Sequence, residues 1–428
     1  MKRLFYILLG VLMLLSSCKE APEYARFADD TYYVGTNFWY GAILASQGQG
    51  GDRQRLSREL DQLQSIGVNN LRVLVGSDGL PGVMAKVEPT LQLEPGVYND
   101  TILDGLDYLM AELEKRHMYA VLFLNNSWEW SGGYSQYLSW AKNTHWPTPQ
   151  EVGYPAYMAS CAEWSRCAEA QALFEDYVRF IVSRTNRYTG RPYTEDPAIF
   201  SWQIGNEPRA FSDEVKPLFA EWIHRTAQLI RSIDPNHMIS TGSEGIWGCE
   251  GDPELCQLIH SYPEIDYITC HIWPFNWGWL NSEDMAGSMD EAIKKSNDYI
   301  QQHLTIAQTL KKPVVIEEFG FPRDTATWVD GTCRMLTPTT CRNQYYQSVF
   351  EAIKQSKDTL GWLRGCNFWA WGGEAVPLHQ QWLPGDSYTG DPAQEDQGLN
   401  SVFLTDRLPL LSSVKLTYNC NNFLSSHP

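Results

Sequence analysis

From Tyr32 to about Trp369 the chain alternates two patterns: short unbroken runs of apolar, β-branched and aromatic residues, and longer stretches whose apolar residues return every three or four positions. An unbroken run fits a strand buried on both faces, and the longer spacing fits a helix with one face on a core. The runs predict eight strands: Tyr33–Trp39, Asn70–Val75, Ala120–Leu124, Ile199–Ile204, Met238–Thr241, Tyr267–His271, Val314–Glu318 and Gly365–Trp369. Helical spacing predicts helices over Arg53–Ile66, Ile102–Lys115, Ala168–Thr185, Phe219–Ile233, Met289–Leu310 and Gln344–Gln355. Repeated β-then-α units predict a parallel sheet, and eight of them close as a barrel. The expected fold class is α/β, a single (β/α)8 TIM barrel with elaborated loops at the C-terminal face of its strands. Two aromatic, Gly-rich segments, Asn126–Gly153 and Trp382–Gln397, read as those loops. No Pro/Ser-rich linker interrupts residues 32–428, which read as one domain.

This layout sends polar residues to the strand ends, where barrel enzymes place their chemistry. Arg72 lies in the second strand, Asn125 and Asn126 end the third, and Asn206 and Glu207 end the fourth. His271 ends the sixth, Glu318 the seventh and Trp369 the eighth. Two of these ends are acidic motifs that close apolar runs, Trp202-Gln203-Ile204-Gly205-Asn206-Glu207-Pro208 and Val314-Val315-Ile316-Glu317-Glu318-Phe319-Gly320. Breaking a glycosidic bond with retention needs two carboxyl groups about 5–5.5 Å apart, one a proton donor and one a nucleophile. Two strands of one barrel can supply that pair. Strand alternation sends Glu317 and Glu318 to opposite sides, with Glu317 expected to face the surrounding helices and need a partner there.

Composition narrows the partners. Hydrophobic content of 43% with 20% charged residues fits a chain with a sizeable core. A net charge of −18 argues against nucleic acid and suits a neutral substrate. The 17 Trp and 22 Tyr exceed what a core needs, and those beside Gly, Asn and Pro can stack on sugar faces. Trp39, Trp128, Trp130, Trp277 and Trp371 are candidates, with Asn126 beside them. No CxxC occurs and the His residues lack ligand spacing, so neither a metal nor a cofactor is expected.

The first 17 residues read as a targeting segment. Lys2 and Arg3 precede an apolar run, Leu4 to Leu15, that is short for a membrane span. Leu15-Ser16-Ser17-Cys18 resembles the lipobox of bacterial lipoproteins, which implies lipidation of Cys18 and a tether over residues 18–31. Lys19-Glu20 resembles an export tag for the surface of Gram-negative cells. The expected location is the bacterial outer membrane, lipid-anchored, with the cell surface as one placement that the export tag allows and a periplasmic or secreted protein as the alternative. In an oxidising compartment Cys161/Cys167, Cys249/Cys256 and Cys333/Cys341 are plausible disulfides, while Cys270 and Cys366 fall in strands as buried thiols. The protein is read as a monomer.

Taken together, Asn206-Glu207-Pro208, Glu318-Phe319-Gly320, Arg72 and His271 resemble glycoside hydrolase family 5. Gly35-Thr36-Asn37-Phe38-Trp39-Tyr40, Asn125-Asn126 with Gly132-Gly133, Asp196-Pro197-Ala198-Ile199-Phe200-Ser201-Trp202 and Phe368-Trp369-Ala370-Trp371-Gly372-Gly373 resemble its β-mannanase branch. The resemblance spans nearly all of residues 32–375 and implies a retaining endo-β-1,4-mannanase acting on β-mannan or manno-oligosaccharides. It implies Glu207 as acid/base and Glu318 as nucleophile. Arg72 would hold Glu318 ionised, Asn206 would bind the sugar 2-hydroxyl, His271 would orient the acid/base or touch sugar, and Trp369 would floor the cleavage point. The chain departs from the family where Trp273 stands in place of a Tyr that bonds the nucleophile. An indole N–H can donate there but cannot accept. Ser127, between Asn126 and Trp128, is a second departure.

Two rival readings follow from the same residues. One is a related retaining glycosidase, either an endo-β-glucanase or an exo-acting mannosidase or mannobiosidase, since loops decide that choice. The other is a non-catalytic glycan-binding surface lipoprotein, which would not need two carboxylates together with Arg72 and Asn206.

Overall fold

A computed structural model of the protein describes residues 24–27, 31–324 and 337–406. Residues 1–17, Cys18, most of the expected tether and Cys333 lie outside them. The eight expected strands are present: β1 (Tyr33–Asn37), β2 (Asn70–Leu74), β3 (Tyr119–Phe123), β4 (Ile199–Gln203), β5 (Met238–Ser240), β6 (Ile268–Ile272), β7 (Val314–Phe319) and β8 (Leu363–Phe368). Helices α1 (Arg53–Ser65), α2 (Asp100–Lys115), α3 (Ala168–Val182), α4 (Lys216–Ile233), α5 (Pro253–Ser261), α6 (Met285–Leu310) and α7 (Thr340–Asp358) alternate with them. All six predicted helices start within about four residues of expectation, and α5 was not predicted. Its signal is Asp252-Pro253-Glu254: the Asp252 side chain accepts from the Glu254 and Leu255 amides, and proline suits the first turn.

All pairings between the eight strands are parallel, in the order β5-β4-β3-β2-β1-β8-β7-β6. The remaining seam, between β5 and β6, is closed mostly by side chains. Asp266 accepts from the Ile239 amide at 2.7 Å and its own amide donates back to Ile239 O at 2.9 Å. Thr241 and Thr269 meet hydroxyl to hydroxyl at 3.0 Å, and Thr269 reaches Ser243 O at 2.9 Å. Strand β5 is only three residues long, so these bonds carry the closure that a longer ladder would supply.

Two apolar layers result. One lies between the strands and helices. A smaller one, with Tyr33, Val121, Phe200, Met238, Tyr267 and Val315, fills the barrel's lower interior. Strand β7 carries one extra residue relative to both neighbours. Cys270 and then His271 of β6 face Ile316 and then Glu318, and Cys366 and then Phe368 of β8 face Ile316 and then Phe319. This bulge corrects the expectation for Glu317. Alternation is broken, and Glu317 lies inside the barrel with Tyr267 and Asn367 as its partners, not among the helices.

The Asn126–Gly153 segment is mostly helical rather than a loop, with helices at Gly133–Lys142 and Pro149–Val152. Its aromatic residues obscured the helical period. The Trp382–Gln397 segment has neither helix nor strand, as expected. No disulfide is formed among the described residues: Cys161, Cys167, Cys249 and Cys256 are buried thiols, as are Cys270 and Cys366. Cys167 Sγ turns to Glu169, whereas Cys249 and Cys256 lie side by side, thiol against thiol, with His260 also within reach of Cys256. The expected Cys333/Cys341 pair falls partly outside the described residues. No helix among the described residues is long and apolar enough to cross a membrane.

The end of the described chain is anchored by charge. Asp406 accepts from Arg323 at 2.5 Å and Arg342 at 2.9 Å, and both guanidinium groups are fully buried. Burial pushes Asp406 up, but the two arginines outweigh it and hold the carboxyl below its ordinary range. Asp406→Ala should therefore cost about 3–5 kcal/mol by leaving two buried cations uncompensated. A depressed carboxyl stabilises fully above its unfolded pKa and loses that contribution as pH falls through the folded value. Urea unfolding of both proteins should differ by that amount at pH 7 and converge toward pH 2. An equal midpoint at pH 7 would show the anchor to be neutral.

Candidate active site

At the C-terminal mouth of the barrel, Trp128, Trp130, Asn206, Glu207, Trp273, Trp277, Glu318 and Trp369 converge on a cavity of about 500 Å³. Arg72 lies beneath it, fully buried, with every nitrogen of its guanidinium engaged. Nη1 bonds Glu318 Oε1 and Asn37 Oδ1 (3.1 Å), Nη2 bonds Asn206 Oδ1 at 2.9 Å, and Nε bonds Gln203 Oε1 at 2.7 Å. Four strands meet on this one cation: β1 through Asn37, β2 through Arg72, β4 through Gln203 with Asn206 just beyond it, and β7 through Glu318.

Glu207 follows β4 with φ +51°, a region disfavoured for residues with a Cβ. Its amide donates to Gly242 O at 2.9 Å, and Gly242 must be glycine because a Cβ there would sit 1.8 Å from Gly205 O. The carboxyl is then held from both sides, with Trp128 Nε1 donating to Oε2 at 2.5 Å and His271 Nδ1 lying 2.8 Å from Oε1. His271 Nδ1 is also 3.4 Å from Glu318 Oε2. Burial pushes the His271 pKa well down, with Arg72 and Arg209 adding to it, so the ring is neutral and Nδ1 can give one hydrogen bond toward the acids. One carboxylate oxygen of Glu207 and one of Glu318 lie within 4.8 Å of each other.

Trp273 Nε1 donates to Glu318 Oε2 at 3.3 Å, so the indole fills the donor role expected of it. Its ring reaches Glu318 only because residue 320 is glycine: a Cβ there would come 2.1 Å from the indole. Trp369 meets Trp273 edge to face at 5.7 Å, forming one wall.

Three of the expected sugar contacts are absent from the cavity lining. Trp39 is buried with its Nε1 on Gly390 O at 2.8 Å, and Trp371 is buried with its Nε1 on Glu59 at 3.1 Å. Asn126 spends its side chain on Ser131, the Trp128 amide and Asn206. These three build the walls rather than line the cavity. Conversely, Arg209, Glu244, Trp247, Tyr154 and Glu395 line the cavity and were not singled out. Glu244 follows β5, the same strand-then-acid signal as Glu207, and pairs with Arg209 at 2.6 Å. Burial, opposed by Arg209 and reinforced by Glu207, pushes Glu244 up to about 8.

Burial likewise pushes Glu207 up, with Arg209, Trp128 and Arg72 opposing it. Burial also pushes Glu318 up. Arg72 pulls that pKa back but does not bring it below the ordinary range, which corrects the expectation that the guanidinium alone would hold it low. Two carboxylates this close in a dry cavity resist double ionisation, so the pair titrates as a unit and holds one proton through neutral pH. Only Glu318 has the guanidinium in direct contact, and that contact favours placing the pair's negative charge there.

A family model described as GH family 5 beta-mannosidase-like matches residues 18–421. The family 5 mannosidase of Rhizomucor miehei is similar over 93% of this chain and 98% of its own, with 31% identity and a TM-score of 0.83. A mutant of that mannosidase, solved in complex with mannosyl-fructose, is 30% identical with a TM-score of 0.82, covering 93% of this chain and 96% of that one. A mannan endo-1,4-beta-mannosidase of Oryza sativa subsp. japonica is 28% identical, over 79% of this chain and 74% of its own.

Trp128→Phe removes the indole donor from Glu207 and leaves the ring. The charged carboxyl loses one hydrogen bond, so its pKa should rise by about 1 unit. Carbon-13 NMR of labelled glutamates reads this directly, and a fall in that titration would mean that Trp128 does not stabilise the carboxylate.

Proposed function

The chain belongs to glycoside hydrolase family 5, and we propose that it cleaves β-1,4-mannosidic bonds with retention, Glu318 serving as nucleophile and Glu207 as acid/base. The observation that carries this reading is the pair of buried carboxyl groups with oxygens within 4.8 Å of each other. So close an approach supports the short carboxyl separation of a retaining enzyme, in which Glu318 reaches the anomeric carbon, over the wider one that an inverting enzyme needs for its water.

In the first step Glu318 Oε2 attacks the anomeric carbon while the bond to the leaving oxygen breaks and Glu207 passes its proton to that oxygen. A glycosyl ester and a free alcohol result. The ester is neutral, so the like charge that raised Glu207 is gone and its pKa falls. Ionised Glu207 then takes a proton from water as the water oxygen attacks the same carbon, and Glu318 leaves as carboxylate. Trp273 and Arg72 hold Glu318 in line through both steps, and neutral His271 keeps Glu207 aimed. Asn206 has one amide proton on Asn126 and a second free to meet the sugar 2-hydroxyl.

Endo-attack on mannan is the reading we carry forward, supported by the flanking motifs and by the activity named for the Oryza relative. A second reading, exo-attack releasing mannose or mannobiose, draws support from the near full-length likeness to the Rhizomucor mannosidase. Chromatography of products from mannan and from defined manno-oligosaccharides separates them, because endo-attack yields mixed oligomers early and exo-attack yields one small product throughout. Rates on β-1,4-mannan should far exceed those on cellulose, and equal or greater rates on cellulose would overturn the substrate assignment. Cys18 remains proposed as the lipid attachment point of a membrane-anchored protein. Cys18→Ala should move the protein from the membrane fraction to the soluble one, and an unchanged distribution would refute the anchor.

Glu318→Ala should abolish turnover, and azide should restore it on an activated mannoside with an inverted azide product. Activity should trace a bell with pH, its acid limb set by protonation of Glu318 and its alkaline limb by ionisation of Glu207. Full activity in folded Glu318→Ala would dismiss it as the nucleophile.

A further inference from the structure

Glu317 precedes the proposed nucleophile, is fully buried, and has no part in the steps above. The β7 bulge places it inside the barrel below Glu318. Tyr267 donates to its Oε1 at 2.9 Å and Asn367 Nδ2 donates to its Oε2 at 2.6 Å. An amide N–H can only donate, so Oε2 must remain an acceptor. Behind Tyr267, Ser201 lies at 2.7 Å and can donate in turn, so the chain of hydroxyls can run toward an ionised Glu317.

Glu317 is also tied to Arg72 by two routes. Asn37 accepts from Arg72 Nη1 at 3.1 Å and donates to Glu317 O at 2.9 Å. Gln203 accepts from Arg72 Nε at 2.7 Å, and its amide also faces the Glu317 carboxyl. The ionisable groups facing Glu317 are Arg72 from β2, Tyr33 from β1, Tyr267 and Cys270 at β6, and Glu318 itself. Tyr33, Tyr267 and Cys270 all have their pKa raised by burial, so they stay neutral. Arg72 is thus the cation shared by two adjacent carboxyls.

We propose that Glu317 is the second counter-ion of Arg72, a positioning residue that keeps the guanidinium compensated while Glu318 is neutral as a glycosyl ester. The inference rests on the proposed role of Glu318. When Glu318 esterifies, a buried guanidinium would otherwise lose its only anionic contact, which is costly in a site without water. Burial pushes the Glu317 carboxyl up, and Arg72 with the donors Tyr267, Asn367 and Gln203 pulls it back toward the ionised form. Ionised, it sets a like charge beside Glu318 before that step.

The test is the pH dependence of covalent trapping by 2,4-dinitrophenyl 2-deoxy-2-fluoro-β-mannoside, followed by intact mass. This leaving group needs no proton, so the acid limb reports Glu318 alone. In Glu317→Gln the limb should move to lower pH by at least about half a unit, because a like charge is removed. The plateau trapping rate should fall at least tenfold, because Arg72 is left unpaired in the ester. Tyr267→Phe removes one donor from Glu317, favours its protonation, and should move the limb the same way by less. It decides the matter if Glu317→Gln does not fold. A residue that only fills space would change thermal stability and leave the limb where it is. An unmoved or upward-shifted limb in a folded variant, with the wild type labelled at Glu318, overturns this inference alone. A wild type never labelled at Glu318 overturns the assignment of the nucleophile and this inference together.

Discussion

The mouth of this barrel is organised around one buried cation. Arg72 has no access to water, and its donors are shared among Glu318, Asn37, Asn206 and Gln203. A guanidinium in such a place is tolerated only if its bonds are met and its charge is balanced. The barrel meets the first condition with Asn37 from β1 and Gln203 and Asn206 at β4, which point inward where strands of this kind elsewhere carry Val, Ile or Leu. It meets the second with acids. The consequence is a rigid floor on which the Glu318 carboxylate has one available orientation, with Trp273 fixing its second oxygen.

The proposed chemistry follows from an imbalance above that floor. Glu207 and Glu318 are both buried, but only Glu318 touches the guanidinium. Glu207 instead receives an indole N–H and a neutral imidazole, which position it without forcing it to ionise. Neutral His271 matters here, because an imidazolium at 2.8 Å would drive Glu207 to the carboxylate and remove the proton that the leaving group needs. The neighbouring Arg209 bonds Glu244 and is also the strongest pull on Glu207 toward the charged form, which burial outweighs.

Much of this was legible in the amino-acid order, because a barrel presents strand ends at one face and residues such as Asn206, Glu207, His271 and Glu318 end apolar runs. What was illegible has identifiable causes. The extra residue in β7 leaves no local mark, so simple alternation sent Glu317 to the wrong side. Trp371 precedes a Gly just as Trp277 does, and Trp39 sits among aromatic residues close to a Gly as Trp130 does, so only packing separates a ring in the wall from a ring in the cavity. Glu244 was missed although it carries the same signal as Glu207, because β5 is too short to draw attention to its end. The cysteine spacings looked like loop staples, yet Cys161 and Cys167 turn their sulfurs to different neighbours.

The most direct test of the account is the configuration of the first sugar released. Proton NMR of the reducing-end anomer, recorded during hydrolysis of a β-mannoside faster than mutarotation, reads it without any variant. Two carboxyls with oxygens within 4.8 Å predict that the β-anomer appears first and the α-anomer only by later equilibration. Initial release of the α-anomer would contradict a glycosyl ester on Glu318 and the mechanism built on it.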